Sequence, residues 1–215
     1  MFRSPSALVL ALAVAFPALA GGEEHPASKR LMPGDLDVRA NLSTDTLLLF
    51  VELGVAVDVG AVRVGPGTLA LGAEVSWGLC ISYCLGLKFL NGMNYRANRF
   101  APLARVGYHF EVPGKRRDEV DLYALAFGGP IWVGLEIEDP GAGTVAQLRD
   151  RSFVVGGGMG AKFFFTESLF FGGEARARYG QGTYALTAGE YAPREEEASW
   201  SVTGVGVLFF AGLRI

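Results

Sequence analysis

The chain is predicted to be all-β: an eight-stranded antiparallel transmembrane β-barrel of meander topology, preceded by a cleaved signal peptide. Three observations lead there. Apolar residues recur with a period of two along most of the chain, which is the strand period. Glycine supplies 30 of 215 residues, about twice its usual share, and falls largely on the opposite parity and at turns. Half of the residues are hydrophobic and the mean hydropathy is +0.29. Even so, beyond residue 20 no stretch offers the roughly 18 uncharged apolar residues that a spanning helix needs. The best stretch, Leu47 to Val64, carries Glu52, Asp58 and Arg63. Disorder is excluded by the apolar and aromatic content, and collagen by the lack of a three-residue glycine period.

The elements follow in chain order. Arg3, the apolar run Ala7–Leu19 and the small-x-small pattern Ala18-Leu19-Ala20 make residues 1–20 a secretory signal. Residues 21–34 read as a polar periplasmic tail containing His25, and 35–215 as the barrel. The first strand is short: Leu36, Val38, Ala40 and Leu42 alternate with Asp35, Asp37, Arg39 and Asn41. Strands two to eight are expected at about 46–60, 67–79 or longer, 99–112, 119–137, 152–165, 168–181 and 200–214. One parity of each is large and apolar. The other is glycine, alanine and isolated charge, which suits the narrow interior of a small barrel whose outer face meets lipid. A soluble sandwich would instead keep its large residues in a core and present a broadly polar outer face. Three short turns (60–67, 113–119 and 166–168) alternate with three longer polar stretches (89–98, 139–151 and 182–199). That separation puts the turns on one side and the loops on the other. With an even strand number, both termini are expected in the periplasm of a Gram-negative-type envelope.

The signal, the eight alternating strands and the segment Gly156-Gly157-Gly158-Met159-Gly160-Ala161-Lys162-Phe163-Phe164-Phe165-Thr166-Glu167-Ser168-Leu169 resemble the OmpA/OmpX-like small outer-membrane β-barrel superfamily. Ala175-Arg176-Ala177-Arg178-Tyr179 resembles the ascending strand of that group. The resemblance spans about residues 35–215. It implies outer-membrane lipid as surroundings and the barrel-assembly machinery as a partner during biogenesis. Such barrels usually end in an aromatic residue, whereas this chain ends Leu213-Arg214-Ile215.

Several residues could carry chemistry. Inward parity collects Asp37, Glu52, Asp58, Glu74, Glu111 and Glu174 against Arg39, Arg105, Lys162, Arg176, Arg178 and Arg214. Buried charges must pair, so this balance predicts a salt-bridged interior rather than a conducting pore. His109, inward near Arg105 and Glu111, lacks a matched serine nucleophile, and no enzyme activity is expected. Cys80 and Cys84 are the only cysteines. In a straight strand they stand about 13 Å apart, so they either close a small loop by bending the chain near Gly78 or stay as separate thiols; the oxidising envelope favours the bent, bonded form. No cofactor or metal is expected. The net charge of −3, or −4 once Arg3 leaves with the signal, argues against nucleic acid. Candidate surface-loop contacts are Tyr95, Arg96, Tyr184 and Tyr191. The expected role is structural or interaction-based, with surface loops for binding. Alternatives are a subunit of a larger envelope assembly (adhesion, secretion or surface motility), with other envelope proteins as partners, or a carrier of small hydrophobic molecules.

Overall fold

The computed structural model describes residues 29–45, 50–111, 119–141, 143–188 and 196–215. The signal segment with its cleavage site, His25 and Tyr191 lie outside the described residues. The strands among the described residues are β1 (Leu36–Asp45), β2 (Phe50–Val64), β3 (Gly67–Cys80), β4 (Asn94–Phe110), β5 (Val120–Asp139), β6 (Gly143–Phe164), β7 (Leu169–Ala188), β8 (Glu196–Ser201) and β9 (Gly204–Arg214), and the helix there is α1 (Ser82–Asn91). All strand pairings are antiparallel between neighbours. Closure comes from β9, which pairs with both β7 and β1. The result is a ring of eight strands, and β8 adds to the upper part of β7.

Residues 36 and 215 exchange backbone hydrogen bonds at 2.9 and 2.8 Å, so the start of β1 and the last residue meet at one rim. The tight turns at 65–66 and 165–168 lie at this near rim. The outer wall above it is apolar. Leu53, Val55, Leu71, Val106, Val155, Val207 and Phe209 are exposed on β2, β3, β4, β6 and β9. Two aromatic rows bound this belt. At the far side Trp77, Phe100 and Trp132 are register neighbours, and Phe100 and Trp132 lie 5.7 Å apart. At the near side Phe163, Phe165 and Phe171 stack, with Phe110 exposed on β4. Phe100 and Phe110 stand ten residues apart on one strand. At about 3.3 Å per residue and a tilt near 40°, the rows are separated by about 25 Å, the height of an outer-membrane barrel's apolar band.

Three expectations need correction. First, the long polar stretches are largely strand. β4 begins at Asn94, β6 at Gly143, and β7 runs to Ala188. Above the apolar belt the outward residues turn polar, as Arg96, Glu136 and Glu138 show, so the apolar outward stripe ends while the backbone ladder continues. Second, the last strand is interrupted at Val202 and Thr203, which separate β8 from β9. Third, the interior is not confined to small and charged residues. Tyr123, Leu125, Phe127, Ile131, Phe170, Leu208 and Phe210 are buried there. Glycines make the room. A Cβ on Gly160 would meet the Tyr123 ring at 2.5 Å, and one on Gly212 would meet Phe170 at 2.6 Å. Large side chains from one wall fill the space left by glycine on the other.

Candidate functional site

Inward residues stack in levels along the barrel axis. At the near rim, Lys162 Nζ donates to Asp37 Oδ2 at 2.5 Å and lies 3.6 Å from Asp121. Arg214 donates to Asp37 from Nε and Nη2 (2.7 and 2.9 Å), and from Nη2 to Asp121 at 3.0 Å. His109 Nδ1 lies 2.9 Å from the Asp121 carboxylate, and its ring stacks on Tyr123 at 5.0 Å. One level up, Arg39 Nη1 donates to Tyr123 Oη at 2.8 Å, and that hydroxyl donates to Glu174 Oε1 at 2.6 Å. Arg39 also pairs with Glu174 at 2.6 Å and lies 4.5 Å over the Phe210 ring. Arg105 reaches three acids on three strands: Asp58 at 3.1 Å, Glu174 at 3.0 Å, and Glu74. Arg176 donates to Glu74 at 2.8 Å and pairs with Glu174. Nearest the far rim, Glu52 receives Arg178 at 2.8 Å, together with Arg99 and Ser43.

The charges expected inside are therefore brought together, with one exception. Glu111 lies just past the end of β4 and its side chain is 41% exposed; it contacts Arg30 at the rim, 3.4 Å away. Parity placed it correctly in phase with His109, but the strand ends at Phe110. Two interior charges were missed, Asp121 and Arg99, each at most 5% exposed. Their signal was available. Asp121 shares parity with Tyr123, and Arg99 shares parity with Arg105, but each sat at an assumed strand end.

The near mouth carries a segment of its own. Leu31 is fully buried and Arg30 nearly so. Arg30 Nη1 donates to the Pro66 carbonyl at 2.6 Å, Arg214 Nη1 to the Lys29 carbonyl at 2.5 Å, and Gly34 N–H to the Gly60 carbonyl at 2.9 Å. Asp35 accepts from Met32 N–H at 2.8 Å, while its partial burial raises the pKa of its carboxyl. In the far half of the lumen a cavity of ≈ 30 Å³ remains, lined by Glu52, Glu74, Arg99 and Arg178 beside Leu103 and Phe127. One water needs about 10–15 Å³ of such space, so the cavity takes water and little else.

Outside the lumen, Cys80 and Cys84 are joined in a disulfide with their Cα atoms 5.8 Å apart. The chain leaves the strand at Cys80 and turns directly into α1, which brings the thiols together. Arg96 is well exposed and lies 3.7 Å from Glu138. Tyr95 stands within β4, half-buried, and its hydroxyl accepts from Asn91 at 2.6 Å. Tyr184 lies on β7, with its side chain outside the description.

His109 and Asp121 form a buried imidazole–carboxylate pair. Thr68 lies opposite His109 in the β3–β4 register, and its hydroxyl has no hydrogen-bond partner among the described residues. A nucleophile must sit within hydrogen-bond reach of its base, and this pair instead anchors Lys162 and Arg214. Among the described residues no three His, Cys, Asp or Glu side chains group as metal ligands.

No protein-family model matches the chain, and no curated protein matches it. Solved structures do. The chain is similar to a major outer membrane protein from Thermus thermophilus (TM-score 0.58, 15% identity, covering 84% of this chain and 99% of that one). It is also similar to the outer membrane protein OprG from Pseudomonas aeruginosa (TM-score 0.53, 11% identity, covering 86% and 98%). The fold is that of the small outer-membrane β-barrels.

Proposed function

We propose that this chain is an integral outer-membrane protein with both termini in the periplasm, and that its barrel serves a structural and interaction role without transport or catalysis. The observation that carries the reading is the interior. Ion pairs and aromatic rings cross the lumen from Asp37 at the near rim to Glu52 near the far rim, and the cavity beside Glu52, Glu74 and Phe127 has a volume of only ≈ 30 Å³. The apolar band, about 25 Å tall with its two aromatic rows, supports the membrane placement. The strands that rise beyond it, from β4 to β8, form the surface on which a ligand or another envelope protein would dock. Purified protein in planar bilayers is expected to give no stable single-channel steps; reproducible conductance would overturn the closed-barrel reading. Affinity purification from native membranes tests the interaction role, with a stoichiometric co-purifying partner as the expected result.

One observation favours a second reading, a carrier of small hydrophobic molecules. The β4–β5 ladder pairs Phe100 with Trp132 and Ala104 with Gly128, with no pair between them. Pro102 and Pro130 occupy that interval, and neither has an N–H to donate. The inward neighbours there, Ala101, Leu103 and Ile131, are apolar. Without those donors this stretch of the β4–β5 wall holds fewer ladder hydrogen bonds than the stretches that flank it. Protection of the barrel from urea unfolding by a long-chain alcohol would support the carrier reading, and an unchanged transition would dismiss it.

A further inference from the structure

The most exposed large apolar side chains on the helix are Phe89 (82%) and Leu90 (84%). They stand near the end of α1, well away from the ion-paired lumen. Their surroundings can be read from the chain that leads to them. On β3, Trp77 and Leu79 face outward, and Ile81 has the same parity and is 49% exposed. Leu85 and Phe89 follow Ile81 at four and eight residues, on one side of a helix turning about 100° per residue. Trp77, Leu79, Ile81, Leu85 and Phe89 thus form one apolar stripe, which passes from the lipid face of the barrel wall onto the helix. Cys84 is buried and Leu87 half-buried on a different face, and α1 packs against β4. Lys88 is the only charged residue of the helix.

Height supports the same conclusion. Cys80 stands three residues beyond Trp77 of the far aromatic row. At about 3.3 Å per residue and a tilt near 40° that is roughly 8 Å above the row. The headgroup layer on each side of the hydrocarbon core is about 5–8 Å thick, and an interfacial helix buries its apolar face by about 5–10 Å. Helix α1 begins at headgroup level. The Cys80–Cys84 bond ties its first turn to the end of β3, and Gly92, in the left-handed region at φ 75°, ends it and returns the chain to β4.

We propose that α1 is an interfacial foot: its Leu85–Phe89 face beds into the acyl chains of the outer leaflet beside the barrel, with Lys88 at the headgroups. This rests on the membrane placement proposed above. The occupant of the face is lipid, because the stripe is continuous with the lipid-facing wall and because the helix carries no acid and one cation, the composition suited to a phosphate-bearing surface.

The test uses single-tryptophan proteins in phospholipid vesicles whose acyl chains carry bromine near the carbonyl end. In one, Trp77→Phe, Trp132→Phe and Trp200→Phe are combined with Phe89→Trp. In the second, Leu85→Trp replaces Phe89→Trp, so that a folding failure at one position leaves the other. In the third, Trp77→Phe and Trp200→Phe leave the native Trp132 as a reporter of the barrel wall. The expected result is blue-shifted emission with most of its intensity lost to bromolipid in all three, and little quenching by aqueous iodide at positions 85 and 89. Quenching of Trp132 without quenching at 85 or 89 overturns the foot and leaves the membrane placement standing. It does so whether those tryptophans are open to iodide or shielded by a second copy or another protein. Loss of quenching at Trp132 overturns the placement itself.

Discussion

At the scale of single residues, the interior is a set of shared charges rather than separate pairs. Glu174 holds Arg39, Arg105 and Arg176 at once and accepts from Tyr123. Removing one charge from a buried group leaves its partners uncompensated, at a cost of about 3–5 kcal/mol. Glu174→Gln is therefore expected to lower unfolding stability in vesicles by about that much, read from urea denaturation. Glu52→Gln, beside the far cavity where water can reach, should lose less. Asp35 behaves in the opposite way. Its carboxyl is raised by burial, so its contribution favours the fold below the carboxyl's unfolded pKa and is lost as pH rises through the higher folded value. Asp35→Asn keeps an oxygen to accept from Met32 N–H and carries no charge. It is expected to raise the urea midpoint slightly at neutral pH and leave it unchanged in acid; a drop at neutral pH would contradict this.

At the scale of elements, strand identity and facing were legible because lipid and lumen impose opposite chemistry on alternate residues. β9 displays this along its length, with Val205, Val207, Phe209 and Leu213 outward and Leu208 and Phe210 inward. The interior aromatics escaped because hydropathy does not distinguish a phenyl ring facing lipid from one facing a glycine across the lumen. Gly156, Gly160 and Gly172 were read as marks of a cramped interior, whereas they are partners for Phe127, Tyr123 and Phe210. The upper reaches of β6 and β7 were invisible for a different reason. Main-chain pairing holds them, and pairing leaves no hydropathy signature of its own once the outward residues are polar. Helix α1 was hidden behind the possibility that the third strand runs on. The cysteine spacing was its one signal, since four residues suit a turn of helix and not an extended strand. Cys80→Ser with Cys84→Ser is expected to leave the heat-induced gel shift of the barrel intact while α1 loses amide-exchange protection. A collapsed barrel would show instead that the disulfide supports the wall.

At the scale of the whole molecule, two sets of contacts cross the lumen. The ion network spans it at several levels, and residues 29–34 lie across the near mouth. They are separable. Deleting 29–34 uncovers the rim but leaves Asp37, Lys162, Asp121 and Arg214 joined across it, so planar bilayers are expected to remain silent. Conductance in the deletion protein alone would make the segment a true plug. Ring closure is also the least local event in the chain. Asp37 pairs with Arg214 across almost the full sequence, and such contacts slow folding.

The segment at the mouth has one more consequence. Arg30 and Lys29 touch the β2–β3 turn, the β6–β7 turn and β9. The polypeptide thus reaches the first strand by crossing beneath the opening instead of running along the wall. A reporter domain joined ahead of Lys29 would hang under the bore like a bead on a central string. One joined after Ile215 would ride at the circumference, and the two fusions would sense different neighbours although both sit at the same rim.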